Sequence, residues 1–183
     1  PKVMNDYPRK TDSKIIDCGM AKMILGIGLL FFVILIGIWQ MLSHGDYMSY
    51  EAMLKDFDFN HLTDFSEATH VRNPHELGIF FTFFVLLQFW NIFNARYFHT
   101  GRSLIEDILD VIRHPSSLNR HYSSGFITII FVILVGQIII TNIFGEMFGV
   151  EAISLKDWLL LFVTTSPVLL IGDTLRLLKN KIS

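Results

Sequence analysis

The sequence contains a single cysteine, Cys18, so no disulfide can form within the chain. Charge is also scarce. Asp, Glu, Lys and Arg make up 17% of the 183 residues, and the formal net charge is -2. No basic patch with interleaved aromatics occurs, so no nucleic-acid partner is expected. There is no Gly-rich phosphate loop and no Ser/His/Asp or Cys/His arrangement. His99, His114 and His121 have no nucleophile or paired carboxylates at a telling spacing. This segment is therefore expected to hold no catalytic residues and no cofactor of its own. Repeats and low-complexity tracts are missing. The chain opens on Pro1, and its first 17 positions carry Lys, Arg and Asp without the short apolar core of a signal peptide. The expectation is a fragment of something longer.

What the chain has in abundance is hydrocarbon. Hydrophobic residues reach 51% and aromatics 14%, with 17 phenylalanines. They cluster in runs long enough to cross a bilayer, which takes about 20 mostly apolar residues. The first run, MILGIGLLFFVILIGIWQML, spans 23–42 without a charge. The second covers 77–97 and meets no charge until Arg96. The third covers 124–145. The fourth, 155–178, is charge-free only from Trp158 to Gly172, so Asp157, Asp173 and Arg176 are expected at the membrane interfaces. Continuous apolar runs indicate helices rather than the alternating strands of a barrel. The expected class is an all-α membrane protein with four transmembrane helices. Residues 1–22 read as a cytoplasmic linker and 23–183 as the transmembrane domain.

Lys and Arg set the orientation. Twelve of the fifteen fall in the N-terminal flank, the loop after the second span and the C-terminus. Only Lys55, Arg72 and Lys156 lie in the other two loops. Both termini are expected to be cytoplasmic.

The outer loop, 43–76, carries Asp46, Glu51, Asp56, Asp58, Asp64, Glu67 and Glu76, together with His61, His70 and His75. The spacing matches no strong metal-ligand pattern, and a solvated acidic surface is expected. Such a surface would also raise the local cation concentration. The inner loop holds SLIEDILDVIR. Ser103 and Glu106 form a capping-box pattern. Leu104, Ile105, Ile108, Leu109 and Ile112 share one face, and Glu106, Asp107, Asp110 and Arg113 fall mainly on the other. This predicts a short amphipathic helix, packed on the membrane surface, on a cytoplasmic partner or on its own protein.

Three amides, Gln88, Asn91 and Asn94, lie in the second span within roughly a 120° arc at 100° per residue. Gln137, Thr141 and Asn142 interrupt the third span, and Thr164, Thr165, Ser166 and Pro167 the fourth. Pro167 removes a backbone donor and predicts a kink. Polar groups at that depth face other helices, either as hydrogen-bonding glue or as the lining of an ion or substrate path. Periodicity does not separate the two.

FFTFFVLLQFWNIFNAR resembles the eighth transmembrane helix of P-type cation pumps, particularly calcium ATPases of the plasma-membrane type: an apolar run, a Gln, then Asn-x-x-Asn-Ala-Arg. PRKTDSKIID is similar to the basic linker after the sixth helix of that family, FVILVGQIIITNIFGEMF to the ninth helix, and LKDWLLLFV to the start of the tenth. The resemblance implies helices seven to ten of an ATP-driven pump. Mg-ATP and calcium would serve the whole pump, and the upstream transmembrane and cytoplasmic domains would be partners in a plasma or inner membrane. Pumps of the sarcoplasmic-reticulum type place a glutamate, a calcium ligand, where this chain has Gln88. The resemblance thus implies Gln88 as an ion-path ligand, with Asn91 as a second candidate. The alternative is a stand-alone four-helix scaffold or regulatory protein.

Overall fold

The structure is a computed structural model that describes residues 18–63, 73–97, 103–118 and 122–182, the side chains only as far as residue 174. Most of the 1–22 linker, His70, Arg72, His99 and His121 lie outside the described residues. Every described element is helical, and four helical stretches are long and apolar enough to span a membrane. Two compact units are distinguished, residues 1–34 and 35–183. Helix α1 (Cys18–Met41) accounts for the described part of the first unit and continues into the second.

The second unit is built around α4 (Pro74–Tyr97), α6 (Ser124–Asn142) and a broken fourth span, α8 (Leu155–Thr165) and α9 (Pro167–Ile182). Short helices fill the loops. They are α2 (Tyr50–Lys55), α3 (Phe59–Thr63), the amphipathic α5 (Leu104–Arg113) and α7 (Gly145–Phe148). The break falls where Pro167 requires it. A proline there offers no N–H to the carbonyl of Val163. That carbonyl is taken by the Ser166 hydroxyl at 2.7 Å and the Ser166 N–H at 3.3 Å, so no backbone acceptor is stranded in hydrocarbon.

Buried carboxyl groups join these elements, Glu76, Asp157 and Asp173 among them. Glu76 is fully buried and closes a capping box with Asn73: its Oε2 accepts the Asn73 N–H at 3.0 Å, and its own N–H donates to Asn73 Oδ1 at 2.8 Å. Pro74, in the first turn, has no N–H to satisfy. The second oxygen, Oε1, accepts the Tyr47 N–H at 2.8 Å, which fastens the loop after α1 to the start of α4. Glu76 is thus no part of a solvated acidic surface. It was grouped with the loop acids because its partner is 29 residues away.

Asp157, 1% exposed, forms a similar box with Ser154 and also accepts the Tyr50 N–H at 3.0 Å and the Glu51 N–H at 3.3 Å. With Ser49 accepting from Ala52, the first three amides of α2 are satisfied. Outside this joint, Glu51 lies between Lys156 and Lys55, whose hydrogen bonds pull its carboxyl down to about 2. Asp173, 2% exposed, accepts the Leu104 N–H at 2.9 Å and the Ser103 hydroxyl at 2.7 Å, at the positive end of α5. Both aspartates lie near the ends of the fourth apolar stretch, turned into the protein and bonded to backbone amides.

Helix α5 forms where its sequence predicts, with Ser103 accepting from Glu106 N. No bond from the Glu106 side chain to the Ser103 N–H accompanies it among the described residues; Asp173 accepts instead from the next amide, Leu104, and from the Ser103 hydroxyl. The expected polar face also differs. Asp107 is buried and accepts the Tyr97 hydroxyl at 2.7 Å, whereas Leu109 and Ile112 are exposed.

Asp157→Ala, in the full-length protein that contains this chain, is expected to cost about 2–4 kcal/mol, because several buried donors lose one shared acceptor. Asp157→Asn keeps an acceptor oxygen and should cost less. Denaturation midpoints in detergent micelles measure both, and an Ala variant as stable as wild type would refute the joint.

Candidate functional site: the polar face of α4

Helix α4 carries polar side chains on two sides, and the structure separates them. On the inner side, Gln137 Nε2 of α6 donates to Thr82 Oγ1 at 3.1 Å, with both residues buried. Two turns along α4 from Thr82, the Trp90 indole N–H donates to Thr165 Oγ1 at 2.9 Å, and Thr165 donates to the Leu161 carbonyl at 2.7 Å. Asn94, 1% exposed, donates from Nδ2 to the Val168 carbonyl at 3.0 Å, just beyond the Pro167 break. Its Oδ1 is buried without a donor. These bonds tie α4 to α6, α8 and α9 at three depths, the use expected of polar groups between membrane helices.

Close approach depends on missing side chains. A Cβ on Gly172 of α9 would sit inside contact distance of the Asn94 amide. A Cβ on Gly78 would overlap the Glu151 carbonyl, in the loop whose Glu151 N–H bonds the Pro74 carbonyl at 2.9 Å. Neither glycine stands out by periodicity. The available signal is a small residue within an apolar helix, which commonly marks close packing.

Gln88 and Asn91 are on the other side. Gln88 is exposed and Asn91 half-buried, one turn apart on a stripe that includes Phe84 and Ala95. Neither makes a hydrogen bond to another described residue. The arc of three amides is thus divided, with Asn94 used inside the bundle and Gln88 and Asn91 left on its outer surface.

The pair offers two neutral amide oxygens. A calcium ion takes six to eight oxygens, so this face can supply only part of a shell. Among the described residues no three His, Cys, Asp or Glu side chains converge. His61 stacks on His44 with ring centroids 4.7 Å apart, and His75 lies at the start of α4.

At the end of α4, Tyr97 holds Asp107 of α5 and lies 3.4 Å from the Tyr122 hydroxyl. The Arg96 guanidinium stacks 4.6 Å from the Phe126 ring centre and 5.6 Å from that of Tyr122. Each such contact contributes on the order of 0.5–1 kcal/mol at an exposed site.

Gly172→Ala must push the Asn94 amide aside, at about 1–3 kcal/mol for an overpacked contact. Adding Asn94→Ala removes the clash, so the double variant should lose less than the sum of the two single changes. Additive losses in denaturation midpoint would show that the residues are not coupled.

Comparison with known proteins gives one finding. Residues 1–178 match the family described as "Cation transporting ATPase, C-terminus". A search of curated proteins returned no match. The family match covers all four spans and agrees with an integral membrane protein that forms part of a larger ATPase, so the chain belongs to the C-terminal region of the cation-transporting ATPases.

Proposed function

We propose that the chain supplies helices seven to ten of an ATP-driven calcium pump of the plasma-membrane type, with the Gln88–Asn91 face of α4 along the ion path. The observation that carries this reading is the unpartnered pair. An amide with no partner in hydrocarbon costs several kcal/mol, so the face needs another polar surface against it. In this reading the upstream transmembrane helices provide that surface, and the upstream cytoplasmic domains bind Mg-ATP. The calcium preference rests on the likeness of FFTFFVLLQFWNIFNAR to the plasma-membrane type and on Gln88 in place of a glutamate. The inner-side bonds leave Thr82, Trp90 and Asn94 structural. Both termini are assigned to the cytoplasm, on the distribution of Lys and Arg.

Two experiments test the reading. Single cysteines placed at Asp58 and at Ser116, both exposed, should label from opposite sides of sealed vesicles, with position 58 outside. Labelling from one side defeats the four-span arrangement. Gln88→Ala in the full pump should weaken apparent calcium affinity about tenfold, or about 1.4 kcal/mol, without abolishing transport, since water can replace one carbonyl ligand. The readout is calcium-dependent ATPase activity in vesicles. An affinity equal to wild type removes Gln88 from the ion path, and complete loss in a folded protein makes it a primary ligand.

A further inference from the structure

Two arginines in the loop between α5 and α6 stand three residues before a serine, Arg113 before Ser116 and Arg120 before Ser123. A second serine follows each, Ser117 and Ser124. Protein kinases select serines partly by charge. An acidic pocket of the kinase accepts a basic side chain at a set spacing from the hydroxyl. That spacing points equally to Ser116 and Ser123, and the sequence does not separate them.

The structure does. Ser123 is the N-cap of α6, and its hydroxyl accepts the Phe126 N–H. The residues that follow belong to a helix long and apolar enough to span a membrane. A kinase groove takes up several extended residues around the hydroxyl, and backbone that enters hydrocarbon cannot give up its helical bonds to supply them. Ser124 is the first residue of that helix and is restricted in the same way. Ser117 is 4% exposed. Ser116, by contrast, is exposed and lies in a single 3-10 turn, Pro115–Ser117. The Ser117 N–H donates to the His114 carbonyl at 2.8 Å, and the Leu118 N–H donates to the Pro115 carbonyl. Pro115 itself has no N–H to contribute. A surface turn with so few backbone bonds opens at little cost. Arg113 and His114 are exposed beside it, so the basic group and the hydroxyl are displayed together.

We propose that Ser116 is a phosphorylation site for a serine kinase that reads a basic side chain three residues upstream, and that the phosphate loosens the last turn of α5. The proposal rests on the assignment of this loop to the cytoplasm, the compartment that supplies ATP. In the transfer, Ser116 Oγ attacks the γ-phosphorus of ATP. The bond from that phosphorus to the β–γ bridging oxygen breaks, ADP leaves, and the hydroxyl proton passes to a carboxylate of the kinase. The product carries about -1.5 to -2 charges at pH 7. It stands just past the C-terminal end of α5, where carbonyls without helical partners make the end negative. Like-signed charge at that end favours fraying, and the nearby Arg113 offsets only part of it. The first turn of α5, bonded to Asp173, is roughly 13 Å away at 1.5 Å per residue and stays docked.

The test uses the full-length protein, ATP and the catalytic subunit of cyclic-AMP-dependent protein kinase, with phosphate located by mass spectrometry of peptide fragments. In detergent micelles, where both sides are open, phosphate should appear at Ser116. Ser116→Ala should lose it and Ser117→Ala should keep it. Arg113→Gln should slow its incorporation roughly tenfold, the effect of one lost charge-assisted contact with the kinase, and Arg113→Lys should restore part of the rate. No phosphate at Ser116 in micelles overturns the site, as does an undiminished rate in Arg113→Gln. In sealed vesicles the kinase should reach Ser116 from the side that carries the ATP-binding domains. A site that is modified in micelles, but in vesicles only from the opposite side, traces the failure to the cytoplasmic assignment and overturns the proposal with it. Backbone amides of residues 111–114 should exchange hydrogen faster after phosphorylation, while those of the first turn of α5 should not. Unchanged exchange at 111–114 overturns the loosening.

Discussion

A carboxyl group withdrawn from water needs several donors, and Glu76, Asp157 and Asp173 obtain theirs largely from backbone amides of loops and helix starts. Helix starts present donors that their own helix cannot use. Each acid therefore solves two problems with one set of bonds, its own desolvation and the exposed amides of a short helix or loop. Helices as short as α2, with six residues, have no independent stability in water. Docking onto Asp157 gives α2 a fixed position over the start of α8. The same logic seats α5 on Asp173 and the loop after α1 on Glu76. The long helices set where the chain crosses the membrane, and the buried acids set how the loops sit on them.

Between these ends the bundle uses weaker bonds at shorter range. Gln137 to Thr82, Trp90 to Thr165 and Asn94 to Val168 each join two elements that apolar contact alone would leave free to slide. The Pro167 break belongs to this set. Just beyond it the Val168 carbonyl accepts from Asn94, and Gly172 gives the Asn94 amide room.

The sequence made the spans, the Pro167 interruption and the start of α5 legible, because each depends on residues within a few positions of one another. Much of the rest depended on distant partners, as in Leu104 with Asp173 across 69 residues and Tyr50 with Asp157 across 107. A charge at the edge of an apolar run does not by itself reveal which distant donors it accepts from. Asp107 was assigned to the polar face of α5 because helical phase shows which residues share a face, not which face is covered. Tyr97 and the end of α4 cover the one that holds Asp107. The division of the amides was hidden for the same reason. A 120° arc on one helix can straddle the edge of a buried surface, and only the neighbours decide where that edge falls.

The use of the acids bears on the candidate ion face. Glu76, Asp157 and Asp173 accept from backbone or hydroxyl donors at the helix starts, and Asp107 accepts from Tyr97. Recruiting any of them to a cation would strip acceptors from buried donors and loosen a loop helix. Residues Gln88 and Asn91 bear no such load, so a change in their surroundings leaves the joints intact. They are also neutral. A divalent ion held against them would gain dipoles here, and its charge would have to be balanced by groups on the surface that covers this face. Under the proposed reading, neutral amides would suit an ion that must leave again, because a fixed carboxylate would hold it more tightly than a carbonyl oxygen does.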